Sequence, residues 1–200
     1  MVEIIAEKSE LAIEKLIAAL DSGKAVSFPT ETVYALACDA YQESAVEEIY
    51  KIKGRDPSKP LSIIVDSLDF LRDILDITPE IEEMASKYMP GALTIVAKVK
   101  ADSLLAKNIN NGAGTIGFRI PDHEFCLKLL KKLRRPLVAT SVNFSGEVSL
   151  TNAKDISDQF SDKLALIIDG GESKMGIPST VVDMSKNQKV ILRQGILQID

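Results

Sequence analysis

The sequence has 200 residues, 46% of them hydrophobic, and a formal net charge of -5. A chain of this length and apolar content can build a hydrophobic core without disulfides or a structural metal. The negative net charge argues against a general nucleic-acid-binding protein, because such proteins are normally basic, although a local basic site is compatible with it.

Two cysteines, Cys38 and Cys126, lie far apart and in no C-x-x-C arrangement. They are therefore expected to be reduced, buried thiols and not a disulfide or a zinc site. No apolar segment approaches the roughly 20 residues that cross a bilayer. Residues 1–7 carry acids where a signal peptide has an apolar run. We expect a cytoplasmic protein with no membrane partner.

Three elements are predicted before residue 60. Apolar residues at helical spacing predict a first helix, capped by Ser9 and stopped by Gly23. The short apolar run 25–28 predicts a buried strand that ends before a proline. A second helix is expected after the next loop, and it ends at Gly54 because glycine is the usual residue after a helix C-terminus.

From residue 61 onward, apolar and β-branched runs predict strands, whereas amphipathic runs predict helices. The predicted strands are residues 61–65, 93–99, 115–120, 137–140, 164–168, 180–184 and 190–192. The predicted helices are residues 67–75, 79–88, 122–134 and 153–160, the third capped by Asp122. Helices and strands alternate without a repeat or a linker. We predict one α/β domain over residues 1–200, an open, twisted, mixed sheet with flanking helices.

A basic cluster follows the second helix: Lys51, Lys53, Arg55 and Lys59 fall within nine residues. Lys51 and Arg55 are four residues apart and are expected to share a helix face, with Lys53 pointing elsewhere unless the helix has unwound. A basic helix end can simply complement the helix dipole. It can also bind phosphates, with a bidentate fork from arginine and a mobile charge from lysine.

Two further segments combine polar groups with a predicted strand. Alternation places Thr115, Gly117 and Arg119 on one strand face, where the arginine needs an ion-pair partner or an anionic ligand. Residues 140–143 are Thr-Ser-Val-Asn at the end of a buried strand. Polar groups at that position face the ligand crevice of open α/β sheets, although serine and asparagine are also ordinary turn residues.

Several familiar catalytic patterns are excluded. Gly112, Gly114 and Gly117 spell G-x-G-x-x-G, but the motif runs into a strand and not into a helix, so it does not predict a dinucleotide site. No P-loop occurs, and Ser141 is not in a G-x-S-x-G motif. The single histidine, His123, is expected at a helix start. The remaining chemistry is positioning of substrates and cationic stabilisation of charge.

Seven short segments occur in an order that resembles the YrdC/TsaC family of threonylcarbamoyl-AMP synthases. They are residues 28–34 (F-P-T-E-T-V-Y), 53–61 (K-G-R and K-P-L), 90–91, 114–121, 139–146 (A-T-S-V-N and S-G), 178–183 (P-S-T-V-V-D) and 192–195 (L-R-Q-G). The resemblance spans most of the chain. It implies an open α/β fold around a large concave cavity. It also implies a nucleotidyltransferase that makes threonylcarbamoyl-AMP and pyrophosphate from ATP, L-threonine and bicarbonate or CO2.

The resemblance assigns site residues by their matching positions. The implied catalytic residues are Lys53, Arg55, Ser141 and Asn143, the K-x-R and S-x-N signature. The implied ATP-binding residues are Arg55, Lys59, Thr115, Ser141, Ser149 and Arg193. The implied threonine-binding residues are Thr32, Arg119, Ser179 and the backbone at Ala139. No protein side chain is implied as a metal ligand, and Mg²⁺ is expected with ATP.

The resemblance also implies partners. The product is expected to pass to a tRNA threonylcarbamoyl-transferase complex, which modifies tRNA next to the anticodon, and contact with tRNA or double-stranded RNA is a further expectation. The chain is similar to the short, single-domain members. Asp56 replaces a proline frequent in the family and is expected to pair with a cation of the basic cluster. Ile64 stands where some members carry a histidine near the threonine.

Two alternatives from other functional classes stay open. One is an RNA-binding module without nucleotide turnover, although only 5% of the residues are aromatic and could stack on bases. The other is a carbamoyl-transfer domain like the related module of hydrogenase-maturation proteins, which would consume carbamoyl phosphate.

Overall fold

The computed structural model describes residues 2–186 and 188–199. Within them, ten strands form one sheet, flanked by five α-helices and a short 3₁₀ helix at Asp69–Asp73. The strands are β1 Glu3–Ala6, β2 Val26–Phe28, β3 Ala35–Asp39, β4 Ser62–Ile64, β5 Leu93–Lys98, β6 Thr115–Arg119, β7 Leu137–Ser141, β8 Leu166–Asp169, β9 Thr180–Asp183 and β10 Val190–Arg193. The α-helices are α1 Ala12–Asp21, α2 Glu43–Lys53, α3 Pro79–Tyr88, α4 Glu124–Leu133 and α5 Ala153–Phe160.

The sheet is mixed, and its order is β1-β8-β2-β3-β7-β4-β6-β5-β9-β10. Strands β1 and β2 run parallel to β8, β4 runs parallel to β6, and β5 runs parallel to β9, whereas the other neighbours are antiparallel. The predicted fold class, an α/β protein with an open mixed sheet, is confirmed. No helix among the described residues is long and apolar enough to cross a membrane.

Helices cover the two sheet faces unequally. On one face, α2, α3 and α5 pack over a large cluster that includes Ile95 and Phe118. On the other face, α1 and α4 pack over a smaller cluster that includes Ala35, Ile64 and Leu137. Because Ala35 and Ile64 also line a cavity, that cavity continues the face which α1 and α4 cover in part.

The second helix and the helices at 79–88 and 153–160 are confirmed. A left-handed Gly54 follows α2, as predicted, with φ 58°. The sequences of α3 and α5 combine an apolar stripe with a capping residue, Thr78 and Asn152, whose side-chain oxygen accepts a backbone N–H of the first turn. Both cysteines are free and buried, also as predicted.

Three other predictions about helices are wrong. α1 begins at Ala12, three residues after Ser9, and has no side-chain cap. α4 begins at Glu124 with His123 at the cap position, so Asp122 lies one residue too early, and this helix also lacks a side-chain cap. Residues 67–75 form only the short 3₁₀ helix and not an α-helix.

Two strands, β1 and β3, were not predicted from the sequence. β3 is Ala-Leu-Ala-Cys-Asp, and all five residues are buried. A strand buried on both faces has no alternation of polar and apolar residues, and this one has no β-branched residue. β1 lies at the sheet edge and is largely exposed, so its hydrophobic pattern is equally weak.

The central strands should carry most of the stability. Ile95 on β5 is fully buried, so Ile95→Ala is expected to lower the free energy of unfolding by about 2–5 kcal/mol, through lost burial and the cavity left behind. Ile4→Ala is a matched control, because Ile4 is 46% exposed on edge strand β1. Its cost should stay below about 1 kcal/mol. Equal losses in urea denaturation would contradict this assignment of the core.

Candidate active site

A cavity of about 590 Å³ opens on the sheet face that α1 and α4 leave uncovered. Its floor includes Ser62, Gly117, Val96 and Asp183, which lie side by side on β4, β6, β5 and β9. This volume lies in the range of small-molecule sites. The floor is built on rigid strands and not on loops.

Gly117 deepens this floor. A Cβ at that position would lie 2.7 Å from Ser62 Oγ and 3.0 Å from Thr94 Cγ2. Any side chain would therefore have to displace its neighbours and would also fill the middle of the cavity. The glycine leaves a hollow beside Arg119, two residues along the same strand.

The end of α2 delivers two cations to the cavity. The left-handed Gly54 ends the helix and turns the chain, so that Lys53 and Arg55 both line the cavity. Lys51 instead forms an exposed ion pair with Glu47 at 2.8 Å. The prediction that Lys51 and Arg55 share a helix face is wrong, because α2 ends at Lys53, before Arg55. For Lys53, the end of the helix is the exception under which it was not expected to point elsewhere.

Lys53 is 2% exposed and is surrounded by oxygen atoms. Its Nζ donates to Ser141 O at 2.6 Å, to Asn143 O at 3.0 Å and to Asn143 Oδ1 at 3.0 Å. All three N–H groups of the ammonium are thus used within the protein. Burial, and then the charge of Arg55, lower the pKa of Lys53 to about 8.

Arg55 closes the loop that follows it. Its Nε donates to Lys59 O at 3.1 Å and its Nη2 to Pro60 O at 2.9 Å. The Lys59 side chain is exposed and does not belong to the cavity lining. Asp56 was expected to pair with a cation of the basic cluster, but it does not. Its Oδ1 instead accepts the backbone N–H of Ser58 at 2.9 Å. Two of the five Arg55 N–H groups are therefore engaged within the described chain.

The S-x-N segment serves the turn and the cavity at once. Ser141 Oγ donates to Asn143 Oδ1 at 2.5 Å. Asn143 Nδ2 donates to the carbonyl oxygens of Phe144 at 2.8 Å and Glu147 at 3.0 Å. Both side chains also line the cavity. The two interpretations of this segment, turn chemistry and ligand crevice, therefore describe one arrangement.

Arg119 is held from three sides. Its Nε donates to Gly91 O at 2.9 Å and its Nη1 to Thr32 Oγ1 at 2.8 Å. Its Nη2 forms an ion pair with the buried carboxylate of Glu31. The arginine nevertheless lines the cavity, so it is fixed by the protein and still faces a ligand.

Arg193 lies at the opposite wall, on β10. Its Nε and Nη2 donate to Ser179 O at 3.1 Å and 2.8 Å, and Ser179 Oγ is 2.8 Å from Thr94 Oγ1. Burial, followed by the charges of Arg119 and Arg55, lowers the pKa of Arg193. The charges of Arg119 and Arg55 therefore reach Arg193, and all three arginines line the same cavity.

The family comparison agrees with this geometry. The profile of the Sua5/YciO/YrdC family, described as telomere recombination, matches residues 18–195. The chain belongs to the Sua5/YciO/YrdC family. This confirms the family that the sequence motifs predicted.

Two relatives carry the same name, threonylcarbamoyl-AMP synthase. The chain is 40% identical over 179 residues to a threonylcarbamoyl-AMP synthase of Pyrococcus abyssi, covering 89% of this chain and 52% of the relative. It is 35% identical over 184 residues to a threonylcarbamoyl-AMP synthase of Bacillus subtilis, covering 92% of this chain and 53% of the relative. The chain thus spans about half the length of these relatives.

A solved structure is similar over nearly the whole chain. The crystal structure of Pyrococcus abyssi Sua5 complexed with L-threonine superposes with a TM-score of 0.89 at 38% sequence identity. The match covers 98% of this chain and 57% of the Pyrococcus chain. The described fold is therefore that of a Sua5/YciO/YrdC protein.

The cavity of this family member brings nearly all the predicted site residues together. The predicted residues that line it are Thr32, Lys53, Arg55, Thr115, Arg119, Ala139, Ser141, Asn143, Ser149, Ser179 and Arg193. Lys59 is the predicted residue whose side chain lies outside this lining. Ile64 lines the cavity next to Arg119, its register partner on β6.

Sequence reasoning missed the acidic groups of the site. Asp183 and Glu147 line the cavity, and Glu31 lies behind Arg119. The alternation of Val181 and Asp183 on a predicted strand was the available signal, because it places both on one face. Among the described residues, no group of three histidine, cysteine or acidic side chains is placed to hold a metal.

The buried ammonium of Lys53 should make stability depend on pH. The pKa is about 8 in the folded protein and 10.5 in an unperturbed lysine, so between these values the unfolded chain holds the proton more tightly. The free energy of unfolding, relative to that of Lys53→Met, should therefore rise by up to about 1.4 kcal/mol per pH unit in that window. Below it, the difference between the two proteins should be constant.

Urea denaturation of both proteins between about pH 7 and about pH 10 tests this expectation. Lys51→Met is the matched control, since Lys51 is an exposed lysine of the same helix. The free energy of unfolding of the wild type, relative to that of Lys51→Met, should not show this rise with pH. Parallel curves for wild type and Lys53→Met would contradict the depressed pKa.

Proposed function

We propose that this protein is an L-threonylcarbamoyladenylate synthase, a nucleotidyltransferase that joins L-threonine, bicarbonate or CO2, and the AMP moiety of ATP. The observation that carries the proposal is a single cavity lined by Arg55, Arg119 and Arg193 together with hydroxyl and amide groups. Such a cavity suits two anionic substrates that would repel each other in free solution. The names of the curated relatives support the same activity.

The amino-acid subsite is proposed around Arg119. Arg119 and Thr32 already share a hydrogen bond, and the free N–H of Nη1 suits a carboxylate. Ala139 and Ser179 complete the proposed subsite on β7 and beside β9. The Pyrococcus abyssi structure that holds L-threonine supports threonine as the amino acid.

The nucleotide subsite is proposed at the adjoining walls, with Arg55 and Arg193 facing phosphates. Thr115, Ser141 and Ser149 contribute hydroxyl groups. Ser179 links the two subsites, because its carbonyl oxygen accepts from Arg193 while the residue belongs to the threonine subsite. The reacting groups would therefore meet near β9 and β10.

Lys53 and Asn143 are proposed to support the site from inside the wall. Because the three Lys53 N–H groups are engaged by oxygens of Ser141 and Asn143, the ammonium fixes the S-x-N turn. Its positive charge still adds to the potential in the cavity. Of Lys53, Arg55 and Lys59, Arg55 is the cation that both lines the cavity and has N–H groups left for a phosphate.

The proposed reaction has two bond-forming steps. The threonine amine forms a C–N bond with CO2, and one amine proton leaves to solvent, which gives a carbamate. A carbamate oxygen then attacks the α-phosphorus, the bond to the bridging oxygen of the β-phosphate breaks, and pyrophosphate leaves. Arginine N–H groups stabilise the charge on the phosphate oxygens, so no covalent enzyme intermediate is required.

A divalent cation fits this site only as a companion of the nucleotide. The cavity lining contains two carboxylates, Asp183 and Glu147, and protein-bound Mg²⁺ commonly combines one or two carboxylates with substrate phosphates. We propose that Mg²⁺ enters with ATP and neutralises part of the triphosphate charge. Asp183 is the floor residue best placed to meet it.

The product is a mixed anhydride that reacts readily, so a consuming partner is required. We propose transfer to a tRNA threonylcarbamoyl-transferase complex in the cytoplasm, with the group added next to the anticodon. Direct contact with tRNA or double-stranded RNA is proposed only as an addition, since two lysines of α4 are already paired with acidic side chains. Lys128 pairs with Glu124, and Lys132 pairs with Glu14.

Pyrophosphate release with each substrate omitted in turn tests the proposed activity. Release should require ATP, L-threonine and bicarbonate together, because the carbamate is the nucleophile. Release that depends on carbamoyl phosphate would instead support a carbamoyl-transfer domain. A salt-dependent RNA gel shift without any turnover would favour an RNA-binding module and would contradict the proposal.

Arg55→Ala tests the phosphate contact. The variant should lose at least about tenfold in kcat/KM, because one charge-assisted hydrogen bond to the transferring nucleotide is removed. Lys51→Ala removes a cation four residues away that pairs with Glu47 outside the cavity, so it should retain full activity. Near-normal pyrophosphate release by Arg55→Ala would exclude the proposed contact.

A further inference from the structure

One carboxylate lies directly behind the proposed threonine subsite. Glu31 is 3% exposed, in the segment that connects β2 to β3. Its neighbours Thr30 and Thr32 line the cavity, whereas Glu31 does not belong to the lining. The Glu31 side chain can therefore influence the cavity only through the residues that it contacts.

Its contact is the guanidinium of Arg119. Each nitrogen of this guanidinium meets a different group: Nε meets Gly91 O, Nη1 meets Thr32 Oγ1, and Nη2 meets the Glu31 carboxylate. Nε and Nη1 each use one N–H in a hydrogen bond, whereas Nη2 is buried and meets Glu31 as an ion pair without an aligned hydrogen bond. Because Nη2 is buried, the second N–H of Nη1 is the one left for a carboxylate in the cavity.

The environment of Glu31 is unusual for a structural ion pair. The ion pair uses Oε1, and neither carboxylate oxygen has a well-aligned hydrogen bond within the described chain. A buried charge with so few hydrogen bonds costs stability, so the ion pair alone is weak evidence of a stabilising purpose. The loop itself is anchored independently, because the Glu31 backbone oxygen accepts from the backbone N–H of Met175 at 3.1 Å.

We propose that Glu31 is a positioning residue, which holds Nη2 and so sets the direction of the Arg119 guanidinium, with the free N–H of Nη1 pointing at the amino-acid carboxylate. The inference rests on the proposed function, in which Arg119 binds threonine. Glu31 also balances the charge of Arg119. The amino-acid subsite therefore selects a carboxylate by the direction of its hydrogen bonds more than by net charge. Arg55 has no carboxylate partner among the described residues, so the nucleotide side should not depend on Glu31.

Glu31→Gln separates this role from a structural one. The glutamine keeps the shape but loses the charge that holds Nη2, so the KM for threonine should rise by about fivefold or more. The KM for ATP and the kcat at saturating threonine should stay within about twofold. A role in folding alone would lower the melting temperature and leave both KM values unchanged. Unchanged threonine KM, or an equal rise in both KM values, would overturn the proposal.

A pair of variants shows whether Glu31 acts through Arg119. Arg119→Met should raise the threonine KM by about fiftyfold or more and lower the melting temperature, because Glu31 is left buried without its partner. Adding Glu31→Gln should restore the melting temperature while the threonine KM stays at the Arg119→Met value. A further rise in threonine KM in the double variant would overturn the proposed coupling.

These variants separate the proposed amino-acid subsite at Arg119 from the proposed positioning role of Glu31. If Arg119→Met binds threonine normally, the proposed amino-acid subsite itself is wrong. If Arg119→Met loses threonine while Glu31→Gln does not, only the role of Glu31 is wrong. If Glu31→Gln fails to fold and the double variant folds, the ion pair serves folding, and the positioning role is likewise overturned.

Discussion

Four cations converge on one cavity in an acidic protein, and backbone carbonyl oxygens hold all of them in place. Lys53, Arg55, Arg119 and Arg193 each donate to at least one main-chain oxygen. A carbonyl dipole fixes the direction of a cation without cancelling its charge, whereas a carboxylate would neutralise it. The cavity therefore keeps a positive potential that an anionic substrate can use. Of the four, Arg119 also has a carboxylate partner among the described residues.

This arrangement depends on how the sheet is covered. Helices α1 and α4 occupy part of one face, and the floor strands β4, β6, β5 and β9 carry small or polar residues toward the space that is left. Ser62 and Gly117 keep that space open, since a side chain at Gly117 would collide with its neighbours. The cations come from the ends of α2 and β6 and from β10, so the rigid elements set their spacing.

The sequence was sufficient for the fold class and for most of the residues that line the cavity, but not for its acidic residues or for the orientation of individual side chains. The motif order led to residues as distant as Thr32 and Arg193, because each motif shares a position with known relatives. Gly54 predicted the end of the helix, but the sequence did not show that the chain then turns both Lys53 and Arg55 into the cavity lining. β3 was missed because a fully buried, alanine-rich strand carries no alternation. Asp183 was missed although it alternates with Val181 on a predicted strand, because one acid among 29 acidic residues gave no reason to single out that alternation.

The strand order has a consequence for how the native molecule forms. β5 pairs with β9, β3 pairs with β7, and β1 pairs with β8, so the paired residues lie 87 to 163 positions apart, from Leu93 with Thr180 to Glu3 with Leu166. Contacts of such long sequence separation are slow to form. The cavity lining runs from Thr30 to Arg193, so no fragment from either half of the chain could assemble the cavity.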